Sequence, residues 1–111
     1  MALQEKLLGQ ARENSTSAVS VYALPADTTA IIKTIVLCNT TGVAATVRVF
    51  IDNDGTTYDQ STALLYDVSI AANETLTLDS FLAMNTASGH LAYRTGTANA
   101  ITITVFGAEV T

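Results

Sequence analysis

The sequence predicts an all-β protein, an antiparallel β-sandwich or jelly roll with a short N-terminal arm. Three observations predict it. Seven segments alternate their side chains at period two, which is the mark of a pleated strand with two distinct sides. Turn-forming residues separate these segments at intervals of roughly 8 to 15 residues, as in sandwiches and jelly rolls. No helical stretch is long enough for a βαβ crossover, so parallel α/β folds are excluded.

The elements follow in order. Residues 1–14 read as an arm apart from the sandwich domain, residues 15–111. In the arm Leu3, Leu7, Leu8 and Ala11 recur at helical spacing, but Gly9 weakens any helix by about 1 kcal/mol relative to Ala. So short a segment is ordered only when its leucines find a surface. The first strand, Thr16 to Leu24, stops at the turn Pro25-Ala26-Asp27. The second is Thr28 to Asn39, ended by Asn39-Thr40-Thr41-Gly42. The third, Val43 to Asp52, leads into the polar loop Asp52 to Thr62. Ala63 to Ile70 and Thr75 to Leu82 flank the turn Ala71-Ala72-Asn73, with Leu76 and Leu78 inward. His90 to Thr95 is a short sixth strand. Asn99 to Val110 closes the chain, with Ile101, Ile103 and Val105 on one face and Thr102, Thr104 and Phe106 on the other.

One segment exceeds what a lone sandwich needs. Antiparallel sheets usually keep one face polar, yet alternation along Ile31 to Cys38 leaves both faces apolar. Ile32, Val36 and Cys38 fall on one side and Ile31, Ile35 and Leu37 on the other. A second layer is expected over the extra face, and another subunit is the favoured cover. The candidate interface residues are therefore Leu3, Leu7, Leu8, Ile31, Ile35, Leu37 and Phe106.

Composition narrows the function classes. The 111 residues make one domain, and 49% hydrophobic content is too much for a disordered chain. Only 14% of residues are charged, so the outer surface must be largely Thr, Ser, Asn and Ala. Net charge is −5, and Lys6, Arg12, Lys33, Arg48 and Arg94 are scattered. Nucleic acid and anionic membranes both require clustered cations, so neither is an expected partner. No secretory signal and no stretch of ~20 apolar residues is recognised. Cys38 has no partner for an internal disulfide. These points fit synthesis in a reducing cytoplasm.

Candidate chemistry is sparse, and no enzyme, cofactor or metal is expected. Asp52-Asn53-Asp54-Gly55 with Asp59 has the look of a calcium loop, but the twelfth position, where an EF-hand carries Glu, is Ala63. Asp-Gly at a strand end also signals a hairpin turn, the preferred reading. Cys38 lies in the most apolar strand and reads as core. His90 stands alone in a chain with one histidine, too few ligands for zinc. Asp67 and Asp79 are a conceivable glycosidase pair, of the kind any sandwich with ten acids offers. The tyrosines and phenylalanines read as core or protein interface more than as a sugar groove, since tryptophan is absent.

The runs PADTTAIIKTIVLCNTTGVAATVRVFIDNDG (Pro25 to Gly55), YDVSIAANETLTLDS (Tyr66 to Ser80) and AITITVFGAEV (Ala100 to Val110) carry a resemblance. Together they resemble small virion proteins of tailed bacteriophages. Length and N-terminus bring the chain nearest the capsid staple, decoration or cement proteins of epsilon-fifteen-like short-tailed phages. These motifs are structural, so they specify fold better than role. The resemblance implies a jelly-roll-like subunit on the outer surface of an icosahedral virion. There it would clamp neighbouring major capsid proteins, acting as a homodimer. The alternative within the same group is a tail or fibre component that binds host glycans.

Overall fold

The computed structural model describes residues 2–111. Eight strands form: β1 (Leu3–Arg12), β2 (Val19–Ala23), β3 (Thr29–Asn39), β4 (Ala45–Asp52), β5 (Ala63–Ile70), β6 (Thr75–Met84), β7 (His90–Thr95) and β8 (Ile101–Val110). They make two four-stranded sheets, ordered β1-β8-β3-β6 (sheet I) and β2-β7-β4-β5 (sheet II). All pairings are antiparallel. β1 pairs with β8, β2 with β7, β3 with β6 and β4 with β5, so the chain is one long hairpin rolled up on itself. That is the eight-stranded, double-sheet jelly roll.

Seven strands lie where alternation placed them. The eighth, β1, occupies the expected arm. Leu3, Leu7, Leu8 and Ala11 form no helix; the segment pairs along β8 from Leu3↔Val110 to Arg12↔Thr102. The four-residue spacing of Leu3 and Leu7 fits period two as well as a helix. A bulge between Leu7 and Gly9 then leaves Leu8 without a partner on β8, which breaks the alternation that would have identified a strand.

The core lies between the sheets. Ile32, Ile35 and Leu37 of β3, with Ile101, Ile103 and Val105 of β8, meet Val47 and Val49 of β4 and Leu91 and Tyr93 of β7. Each such side chain contributes about 1.5–3 kcal/mol on burial. Ile35 and Leu37 thus correct the sequence expectation, which set them on the outer face with Ile31. The cause is a bulge at Lys33, which has no partner on β8 between Ile32↔Gly107 and Thr34↔Phe106. One extra residue flips every later side chain to the other face. The outer face of β3 is carried by Ile31, Val36 and Cys38.

Turn chemistry is local. Asp27, Asn73 and Asn99 adopt positive φ in the connections, with values of 55°, 59° and 59°, a conformation Asn and Asp tolerate better than other side-chain-bearing residues. Buried Asn39 ties two connections together. Its Nδ2 donates to the carbonyls of Val43 (2.9 Å) and Ile70 (3.0 Å), and its Oδ1 accepts from Thr41 N–H (3.0 Å). A buried amide so satisfied fixes geometry at little cost.

Candidate protein-interaction surface

The outer face of sheet I divides into two halves. In the half near the chain termini, register sets Leu3 beside Val110, Leu7 beside Phe106, and Ile31 beside Ala108 and Ala83. Leu3 is 65% exposed, Leu7 48%, Phe106 40% and Phe81 73%. In the other half Thr102, Thr104, Thr75 and Thr77 surround Val36 and Cys38. Four of the sequence-derived candidates, Leu3, Leu7, Ile31 and Phe106, therefore share one surface. Leu8 packs against the core from its bulge, and Ile35 and Leu37 lie within the core.

Sequence reasoning missed Phe81. A signal existed: Leu76 and Leu78 point inward, so the odd positions of β6 point outward, and Phe81 is an aromatic on that polar series. It lies with Ser80 across from Lys33, where two residues of β6 oppose one of β3.

Two ion pairs lie at this half of sheet I. Lys33 Nζ donates to Glu5 Oε1 at 3.0 Å, and Lys6 Nζ lies 2.7 Å from Glu109 Oε1. The Glu109 carboxylate also accepts from the Tyr22 hydroxyl of sheet II at 2.5 Å. The Lys6 ammonium, followed by that hydroxyl, holds Glu109 below the usual carboxylate range. Burial first, then the Glu109 hydrogen bond, pushes the Tyr22 phenol up. This corner anchors β1, and with it Leu3 and Leu7, to both sheets. Gly107 lets β8 pass between the two bulges: a Cβ there would collide with the Ile31 carbonyl and meet Leu8 Cδ1 at 2.9 Å.

Around Phe50 the outer face of sheet II is covered by the chain itself. The loop joining β4 to β5 folds back so that Tyr58 stacks obliquely on Phe50, with ring centroids 6.1 Å apart. Phe50 is left 1% exposed. The acids of this loop serve the turn. Asp54 accepts from the N–H groups of Thr56 and Thr57 and from the Thr57 hydroxyl, at 2.8, 2.9 and 2.6 Å. Asp59 accepts from Ser61 N–H and Oγ–H. Carboxylates turned toward backbone donors are those of a hairpin loop, and no group of three metal-ligating side chains occurs among the described residues. Burial raises the Asp52 carboxyl, while neighbouring Asp52, followed by the Thr57 hydroxyl, holds that of Asp54 below the usual carboxylate range.

The other chemistry-bearing residues are dispersed. His90 Nδ1 bonds Ser20 Oγ at 2.6 Å on sheet II. Asp67 and Asp79 lie on different sheets, bonded to Arg48 and Thr34 respectively, so the conceivable glycosidase pair is not formed. Cys38, expected in the core, is half-buried on the outer face of β3, displaced there by the Lys33 bulge. No described helix is long and apolar enough to cross a membrane.

No family model matches the chain, and no curated protein matches it significantly. Solved structures do. A chain in the structure of the infectious bursal disease virus Gx strain superposes with a TM-score of 0.53 at 12% identity, over 97% of this chain. The chain spans 32% of that neighbour's length. At such identity the likeness establishes the fold alone, a β-sandwich.

Proposed function

We propose that this protein is a structural component of a phage virion that binds the outer surface of the icosahedral capsid. It staples neighbouring major capsid proteins and stabilises the DNA-filled shell. The observation that carries this reading is the bare apolar half of sheet I's outer face, with Leu3, Leu7, Ile31 and Phe106 gathered on it. Contiguous exposed apolar surface marks a contact with another protein, and Lys33 beside it is paired with Glu5. The jelly-roll fold shared with a virus chain supports the reading, as does the sequence resemblance to phage staple proteins.

Net charge −5 favours the outside of a shell over contact with packaged DNA. A homodimer spanning two capsid subunits gains from multivalency even where each contact is modest. Binding only the closed shell raises the free energy of opening it by mass action. The test compares shells with and without this protein under heat and osmotic stress. Bare shells are expected to release DNA at lower temperature; equal survival overturns the proposal. Antibody label confined to the tail of intact virions would instead favour the glycan-binding alternative.

A further inference from the structure

Sheet II carries a polar pocket that the stapling role does not use. Thr46, Val47, Arg48, Asp67, Arg94 and Gly96 line it. Arg48 of β4 and Arg94 of β7 are directly opposed across the strand pair. Like charges in that position normally destabilise a sheet, so two of the chain's five cations stand where structure alone disfavours them.

The partner strand answers Arg48 only. Between Val47↔Val68 and Val49↔Leu65, both Tyr66 and Asp67 oppose the single residue Arg48. This bulge delivers a ring and a carboxylate to one guanidinium. Arg48 Nε and Nη2 donate to Asp67 Oδ1 (2.6 Å) and Oδ2 (2.9 Å), and its guanidinium carbon sits 4.0 Å from the Tyr66 ring centroid. Asp67 has φ of 55° inside a strand, whereas the other positive-φ Asn and Asp residues lie in turns. Such strain persists where surroundings impose it and concentrates at binding sites.

Arg94 is left open. Its Nε donates to the Thr16 carbonyl at 2.6 Å, and its terminal N–H groups have no acceptor among the described residues. Two guanidiniums against one carboxylate leave the pocket with a net charge of +1 on a protein of net charge −5. One open fork and one surplus charge fit a planar monoanion, held bidentately. A phosphate dianion would remain undercompensated and would face Asp67. A sugar acid would want an open aromatic platform, and the face of Tyr66 is already occupied by Arg48.

We propose that this pocket is a carboxylate-binding site that receives an Asp or Glu side chain of a protein neighbour, with Arg94 as its fork and the Arg48–Asp67 pair as its wall. The inference rests on the chain working against a protein partner. Its test uses isolated protein and small probes, so it succeeds or fails independently of shell binding.

The experiment is an NMR titration of side-chain Nε–H and backbone amides around residues 46–48, 66–67 and 94–96. The probes are N-acetyl-glutamate N-methylamide, its glutamine counterpart and glucuronate. A saturable shift with the capped glutamate and none with the capped glutamine is expected, weakened about tenfold by Arg94→Gln. Arg94→Lys, which keeps the charge without the fork, should lie between, and Lys33→Gln on the other sheet should match the parent. Absence of a saturable shift, or unchanged affinity in both Arg94 variants, overturns the site. Glucuronate binding at least as tightly as the capped glutamate overturns the choice of a protein side chain.

Discussion

Phe50 and Phe106 point away from the core on opposite sheets, and their fates differ. Phe50 lies beneath the β4–β5 loop, stacked on Tyr58 and withdrawn from water. Phe106 stays open beside Leu7. An outward aromatic can be covered by its own chain or left for another molecule. Sheet II takes the first course through a ten-residue loop between its last two strands (residues 53–62). On the apolar half of sheet I, Leu7, Phe81 and Phe106 stay exposed. The difference separates a surface that stabilises the monomer from one left exposed to solvent.

Substitution can break this contrast. The largest effect is expected at Phe50→Ala, which empties the covered face and frees the loop: about 3–5 kcal/mol of stability should be lost in urea unfolding. A loss below about 1 kcal/mol would mean the loop covers nothing of consequence.

Glu109→Gln comes next, with a cost of about 2 kcal/mol, since a buried charge-assisted hydrogen bond to Tyr22 and the Lys6 pair are removed together. Here pH sharpens the comparison. Glu109 has its carboxyl lowered in the folded state, so its contribution is present above the ordinary carboxylate range. It is lost as pH falls through the lower folded value. Thermal unfolding of the parent should therefore weaken toward acid more steeply than that of Glu109→Gln; parallel pH profiles would dismiss the anchor.

The smallest effect on folding belongs to Phe106→Ala, within about 0.5 kcal/mol of the parent. Shell binding measured by co-sedimentation should nonetheless fall about tenfold. A variant that unfolds easily but binds normally would reverse the assignment of the two faces.

Much of the architecture is legible in the chain because strand formation leaves a local record. Ile101, Ile103 and Val105 alternate with Thr102 and Thr104, and the turns at Asp27, Asn73 and Asn99 use residues that tolerate positive φ. The surface was legible in part. Leu3, Leu7, Ile31 and Phe106 could be picked out as apolar residues the core did not need. Ile35 and Leu37 could not be separated from them, because the bulge at Lys33 depends on the strands either side of β3.

What the sequence by itself determined is where seven strands run, where the chain turns, and that a sandwich results, since periodicity and turn preference act over a few residues. Tertiary structure alone decided that residues 3–12 become an eighth strand. They are too weak a helix to stand alone, and they find their hydrogen-bond partners in β8, nearly a hundred residues away. It also decided which outward aromatic is covered and which face each residue of β3 presents. Pairing register and loop placement are contacts between distant segments, and no local pattern encodes them.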